Sequence, residues 1–368
     1  MSKKWGIKDY DIRFDDFLRE VPIAPTKQEY TRLNDLDQTK HVLRFENTHA
    51  KKEEHKSLNR YINIHPYDYN RIILQEPVND IDYINGSYIN RPSGKMNELN
   101  TDLKMLDYSK YDNIKFLAMQ GPLPGTCEHH WKAIFENDVD AILMLTSLVE
   151  KNKQTQIETV KCERYWPSKK EQCQFQPAVR YGDFEIMIME EENIRPNLIK
   201  STLYLIDTKS RNIKDEKVIT HWQYTGWPDF GAPEDTSDIV TLVRELREFI
   251  KEFSKDNNKN GEPFSILVHC SAGVGRTGTF IALFKAMEDI DEKLEKHVER
   301  TEIRKRHQSD DHRHLNIFKL VLFLRSKRVK MVQSFAQYQY LYACVADYLK
   351  EVDRMSSLVD DYISMQNL

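Results

Sequence analysis

Apolar positions along the chain fall into two spacings. Before about residue 58 the spacing is helical, and Thr26-Lys-Gln-Glu29, following Pro25, has the form of a capping box. Beyond it come short apolar runs at 72–74, 88–89, 116–119 and 141–145, then alternating runs at 184–189, 203–206 and 218–224. These predict the strands of a large, mostly antiparallel or mixed sheet. Three stretches predict helices. Residues 126–137 carry Trp131, Ile134 and Phe135 at helical spacing. Residues 237–253 place Ile239, Leu242, Val243, Leu246, Phe249, Ile250 and Phe253 on one stripe, the pattern of a helix laid on a sheet. Residues 334–350 open on a second capping-box form, Ser334-Phe-Ala-Gln337. Between the last two lie a short buried strand at 266–268, a Gly-rich turn and a helix over 277–290. Two polar stretches interrupt the pattern. Residues 93–113 read as a long surface loop. Residues 291–314, dense in charge and histidine and almost without an apolar stripe, predict a solvated helical excursion or a disordered loop.

Composition narrows the classes. A chain of 368 residues allows one large domain or two to three smaller ones, and neither an internal repeat nor a Pro/Gly/Ser-rich linker divides it. The net charge of −4 offers no cationic field, so no nucleic-acid partner is expected. No apolar run reaches the roughly 18 residues of a membrane span; residues 139–149 are interrupted by Asp140, Thr146 and Ser147 and fit a buried strand, so no membrane insertion is expected. The first residues lack the apolar stretch of a secretory signal, Ser2 argues against myristoylation, and the terminal Gln-Asn-Leu is neither a prenylation box nor a retention tag. Five scattered cysteines, Cys127, Cys162, Cys173, Cys270 and Cys344, read as reduced thiols in a cytoplasmic protein.

The chemistry concentrates at 265–278, where a strand, a turn and a helix follow one another with Cys270 at the strand's end and Arg276 at the helix start. A turn of small residues from Ser271 through Ala272, Gly273 and Val274 to Gly275 lets successive amide hydrogens converge on one point. The helix N-terminus adds its positive end there. The result is a socket for a tetrahedral dianion. Arg276 can grip two phosphate oxygens as a planar fork, which lysine cannot do. Cys270, beneath the same positive field, is expected to be a thiolate that attacks phosphorus and forms a phosphocysteine. Thr277 is placed to donate a hydrogen bond to the departing sulfur, and His269 reads as a buried orienting group rather than a base. Taken singly, a cysteine after a strand is packing and a Gly-rich turn is only a turn; the order of the whole carries the reading.

His-Cys-Ser-Ala-Gly-Val-Gly-Arg-Thr-Gly over 269–278 resembles the signature of the protein tyrosine phosphatase family, in its phosphotyrosine-specific branch. Trp-Pro-Asp-Phe-Gly over 227–231 is similar to that family's mobile acid loop, Asn-Arg-Tyr over 59–61 to its recognition loop, and Gln-Ser-Phe-Ala-Gln-Tyr over 333–338 to its glutamine loop. Residues 85–90, 120–126 and 161–167 resemble its framework motifs, in the family's chain order over about 30–350. The resemblance implies that Asp229 protonates the phenolate and then serves as base, with a surface-turn aspartate as the alternative. It implies that Tyr61 stacks on the substrate ring and sets a depth phosphoserine cannot span, with a core aromatic as the alternative. Ile64, Phe230 and Ala272 match the slot's apolar wall. Gln333 would position the hydrolytic water with help from Gln337, whose capping-box reading competes. Glu150 would hold Arg276 and Lys161 would reach the acid loop, with surface salt bridges as the alternative.

The departures also carry information. Asn63 stands where many members have an aspartate that bonds the substrate backbone, Ile62 where some have a basic residue, and Lys330 where a few have the glycine that opens a second site. His307, His312 and His314 form a histidine cluster for which a solvated face outweighs a metal. The fold that fits is a single α/β domain over residues 1–353, a highly twisted mixed sheet flanked by helices, followed by a mobile or partner-binding tail at 354–368. The implied partners are phosphotyrosine proteins, and no cofactor is implied. A silent binding relative would lack Cys270, Arg276 or Asp229, all present here. A dual-specificity or phosphoinositide phosphatase would lack the Asn-Arg-Tyr loop.

Overall fold

The strands at the middle of the fold are apolar on both faces. A computed structural model describes residues 10–19, 24–38, 45–90, 114–151, 155–168, 178–209, 216–228, 231–256, 262–303 and 314–366. Its elements run in chain order as β1 (Ile12–Arg13), α1 (Phe14–Phe17), α2 (Lys27–Gln38), β2 (Arg71–Val78), β3 (Ile81–Tyr88), β4 (Ile114–Met119), α3 (Cys127–Glu136), β5 (Ala141–Met144), β6 (Val149–Lys151), β7 (Glu158–Val160), β8 (Val179–Tyr181), β9 (Phe184–Arg195), β10 (Leu198–Asp207), β11 (Glu216–Tyr224), α4 (Ser237–Asp256), β12 (Phe264–His269), α5 (Gly275–Ile303), β13 (His314–Leu315), α6 (Ile317–Lys327) and α7 (Phe335–Gln366). Nine strands form one mixed sheet in the order β2-β3-β4-β12-β5-β11-β10-β9-β8. The inner four, β4, β12, β5 and β11, pair in parallel, and every outer pairing is antiparallel. The fold is therefore α/β with helices flanking the sheet.

The period of two along the inner strands divides the core in two. Phe116, Ala118, Ala141, Leu143, Ile266 and Val268 face the layer of α4, α5, α6 and α7. Leu117, Met119, Ile142, Met144 and Leu267 face the layer of α3. All six residues of β12 are buried, as a parallel strand covered on both sides requires. The C-terminal ends of the parallel strands come together, which is where α/β sheets place ligands.

Several elements exceed their sequence signals. α5 continues through the charged stretch to Ile303; there Lys293–Asp289 and Lys296–Glu292 pair at i,i+4, and Arg247 of α4 binds Asp291 at 2.6 Å. α6 has no stripe to read, because every residue but Lys319 is buried. α7 crosses residue 354, where the sequence reading begins a tail, and runs to Gln366. His314 lies in β13, paired with β1; His307 and His312, and the whole of 93–113, lie outside the described residues. No described helix is long and apolar enough to cross a membrane.

Candidate active site

The turn after β12 is built by anchoring its carbonyls. Gly273 has φ +68°, and a Cβ there would lie 2.0 Å from the Met119 carbonyl oxygen of β4, so only glycine fits. The Cys270 carbonyl faces His269 Nδ1 at 3.1 Å, and the Ser271 carbonyl accepts from Gly121 N at 2.9 Å. Arg328 donates to the Ala272 carbonyl at 3.0 Å and the Gly273 carbonyl at 2.9 Å. The Val274 carbonyl accepts from Gly278 N and Val332 N. In a trans peptide the amide hydrogen points opposite to the carbonyl. Tying down every carbonyl from Cys270 to Val274 therefore turns the amides of 271–275 to the other side of the turn. α5 begins at Gly275 and adds its N-terminus to the same place. Cys270, at the floor, is 4 % exposed.

Two arginines hold this turn. Arg276, in the first turn of α5, binds both carboxylate oxygens of Glu150, at 2.9 Å through Nη2, and also reaches Thr146 Oγ1 at 3.1 Å and the Pro228 carbonyl at 3.0 Å. The side chains of Arg276 and Glu150 are only 10 % and 9 % exposed, so this is no surface salt bridge. Lys161 Nζ stands 3.7 Å from the same carboxylate. Any approach of Lys161 to 229–230 falls outside the described residues. Arg328 lies behind the turn and is fully buried; beyond the two carbonyls it donates to Asn85 Oδ1 at 2.7 Å and Ser87 Oγ at 3.3 Å. Burial pulls its guanidinium down to about 10, which leaves it charged at neutral pH.

Beneath Cys270 runs a chain of neutral groups. Tyr165 Oη lies 2.7 Å from His269 Nε2 and 2.9 Å from His221 Nε2. Burial depresses His269 to about 4 and His221 to about 3, so both rings are neutral at pH 7. Counting protons then assigns the bonds. His269 Nδ1–H donates to the Cys270 carbonyl, Tyr165 donates to His269 Nε2, and His221 Nε2–H donates to Tyr165. Both nitrogens of this neutral ring are committed, Nδ1 to the first carbonyl of the turn and Nε2 to Tyr165.

Around the rim, Tyr61 is half-buried and its hydroxyl shares a hydrogen bond of 2.8 Å with Ser271 Oγ, which joins the 59–61 loop to the turn. Arg60 secures that loop through its amide to Gln120 Oε1 and its side chain to the carbonyls of Gly121 and Pro122. Ile64 is buried in one core cluster with Cys270, against which Tyr61 and Ala272 also pack. Asn63 is exposed, and Ile62 is 93 % exposed beside Tyr61. Gln333 is exposed, with Oε1 3.2 Å from where a Gly275 Cβ would stand. Gln337 caps α7: its Oε1 accepts from Gln333 N at 3.0 Å and Ser334 N at 3.3 Å, while Ser334 Oγ accepts from Gln337 N. The capping box is thus formed, and the same side chain faces Gly275. Among the described residues the buried hydroxyl of Thr277 has no hydrogen-bond partner. Trp227 donates to the Gly231 carbonyl at 3.2 Å; Asp229 and Phe230 between them lie outside the described residues.

The sequence reading passes over Arg328, Arg325, Tyr165 and His221 as functional residues. The signal for the arginines is charge inside the apolar run 320–332; Tyr165 and His221 carry none, because their partners are distant in sequence. Among the described residues Cys127, Cys162 and Cys344 are buried free thiols that burial pushes up, Cys127 to about 12. No group of three or more metal-ligating side chains occurs among the described residues.

A family model described as "Protein-tyrosine phosphatase" matches residues 55–347. A receptor-type tyrosine-protein phosphatase eta from Gallus gallus is 32% identical over 298 residues, which cover 81% of this chain and 17% of that protein. The human tyrosine-protein phosphatase non-receptor type 2 is 28% identical over 311 residues, 84% of this chain and 60% of the relative. A phosphatidylinositol phosphatase, PTPRQ, from Rattus norvegicus is 32% identical over 80% of this chain and 10% of that protein. The chain thus spans well under a fifth of the receptor-type eta relative's length.

Proposed function

The chain belongs to the protein-tyrosine phosphatase family, and on that premise we propose that it hydrolyses phosphotyrosine in proteins through a cysteinyl-phosphate intermediate. The Cys270 thiolate attacks phosphorus. An S–P bond forms as the P–O bond to tyrosine breaks, and Asp229 delivers its proton to the leaving phenolate oxygen. Water then attacks the phosphocysteine, gives a proton to Asp229, and releases inorganic phosphate as the S–P bond breaks. Thr277 donates to the departing sulfur, and Gln333 orients the water. The amides of 271–275 and the guanidinium of Arg276 stabilise charge on the phosphoryl oxygens, so the scheme calls for no metal or organic cofactor. Glu150 sets the plane of the guanidinium. The observation that carries this reading is the tethering of every carbonyl from Cys270 to Val274 away from the socket, with Arg276 bound bidentately at its exit.

Tyr61, tied to Ser271, favours an aromatic substrate deep in a slot. The relative named as a phosphatidylinositol phosphatase makes phosphoinositides the second substrate class to test. The free thiols fit a reducing cytoplasm, where phosphotyrosine proteins would be the partners.

The test assays phosphotyrosine peptides, phosphoserine peptides and phosphoinositide vesicles side by side, with wild type and Cys270→Ser. Rapid hydrolysis of the first class alone, lost in the variant, is expected, together with acid-stable label on wild-type protein. Equal rates on phosphoserine, or turnover by Cys270→Ser, overturns the reading.

A further inference from the structure

Gln333 owes its direction to a backbone conformation that its neighbours enforce. Val332, just before it, is β-branched yet has φ +56°, in the left-handed region such residues avoid. A conformation of this kind persists only where the surroundings over-determine it. Here they do. Val332 N donates to the Val274 carbonyl at 3.2 Å, inside the phosphate turn. Gly278 leaves the room, since a Cβ there would stand 2.5 Å from Val332 N. On the other side the Val332 carbonyl accepts two hydrogen bonds, from Tyr30 Oη at 3.2 Å and Arg325 Nη2 at 3.1 Å.

These last two residues form a unit. Arg325 is 1 % exposed; it also donates to Tyr30 Oη at 3.3 Å, to the Met331 carbonyl at 3.0 Å and to Asn34 Oδ1 at 2.9 Å. Tyr30 and Asn34 belong to α2, outside the 55–347 match. α2 is itself pinned to α7, because Glu29 accepts from the hydroxyls of both Tyr338 and Tyr342. An N-terminal helix thus reaches the residue that aims Gln333.

We propose that Tyr30 and Arg325 are positioning residues for hydrolysis of the phosphocysteine: by holding the Val332 carbonyl they fix where Gln333 presents its amide to the attacking water. The proposal rests on the reading of Gln333 as the water-orienting group. Attack by Cys270 does not involve Gln333 in that reading, so only the second step should respond. Water oxygen bonds phosphorus, the S–P bond breaks, and the proton passes to Asp229.

The experiment uses stopped-flow hydrolysis of an aryl phosphate by the full chain. Tyr30→Phe removes one hydroxyl and keeps the ring against Phe335 and Tyr338. Loss of that hydrogen bond should slow phosphoenzyme hydrolysis roughly 3- to 10-fold, with a burst of phenol, while kcat/KM changes less than about two-fold. In a Gln333→Ala background, Tyr30→Phe should add nothing. If kcat and kcat/KM fall together, if neither changes, or if Tyr30→Phe slows the step equally without Gln333, the positioning proposal is overturned. If Gln333→Ala alone leaves the step unchanged, the reading beneath it fails, and the proposal with it.

Discussion

Arg276 and Arg328 hold the two sides of one turn in different ways. In front, Arg276 is matched by a carboxylate, with Thr146 and Lys161 around the same Glu150 and the Pro228 carbonyl at its outer edge. Behind, Arg328 donates to neutral groups: two turn carbonyls, the amide oxygen of Asn85 and the hydroxyl of Ser87. A charge matched by a carboxylate sets a geometry while contributing little net field. A charge surrounded by neutral acceptors keeps its field. The front arginine is thus held in one plane by its carboxylate, as the proposed grip on a phosphoryl group requires. The back arginine is a permanent part of the socket.

The largest effect that would sharpen this contrast comes from the front. Arg276→Lys keeps a charge beside Glu150 but loses the fork, and kcat should fall roughly 10²–10³-fold with the melting temperature little changed. Steady-state kinetics with a parallel thermal scan decides it; a loss of stability comparable to the loss of rate would blur the distinction. At the back, Arg328→Met strips donors from buried carbonyls, at about 1–3 kcal/mol for each one left unsatisfied. Denaturant unfolding should therefore show a loss of about 3 kcal/mol. A variant as stable as wild type that had merely lost activity would put Arg328 in the same role as Arg276.

A third effect, read as a slope against pH, concerns the neutral chain under the turn. His269 and His221 are depressed to about 4 and about 3, while unfolded histidines take up protons near 6.5. Their contribution is complete above about pH 6.5 and is lost as pH falls towards those folded values, at about 1.4 kcal/mol per pH unit for each ring. His221→Gln should flatten that acid limb in urea titrations at successive pH values. An unchanged slope would mean that the ring is protonated in the fold and that the proton count through Tyr165 is misassigned.

Much of the molecule is legible in the sequence. The strand, turn and helix that carry Cys270 and Arg276 are contiguous, so local rules of pleat, small-residue turn and helix start place them together. The capping box at Ser334 formed in full, and at Thr26 the N-cap bond from Glu29 N formed while the Glu29 carboxylate turned to Tyr338 and Tyr342; a cap needs only residues three apart. Three of the four inner strands, β4, β5 and β12, announced themselves by continuous apolar runs, while β11 read as an alternating one. Elsewhere periodicity failed for identifiable reasons. α6 is buried almost all round and shows no stripe, and α5 is carried to Ile303 by i,i+4 pairs and by Arg247 from another helix.

Sequence alone thus determined the family, the candidate residues and the local elements that present them, since hydrophobic period and turn chemistry act over a few residues. The tertiary structure decided the strand order, the outward set of the turn's carbonyls, the back-side place of Arg328, and the hold of Tyr30 on Val332. Each of those joins groups far apart along the chain, and a buried hydrogen bond or charge acquires its role only from the neighbours that folding brings to it.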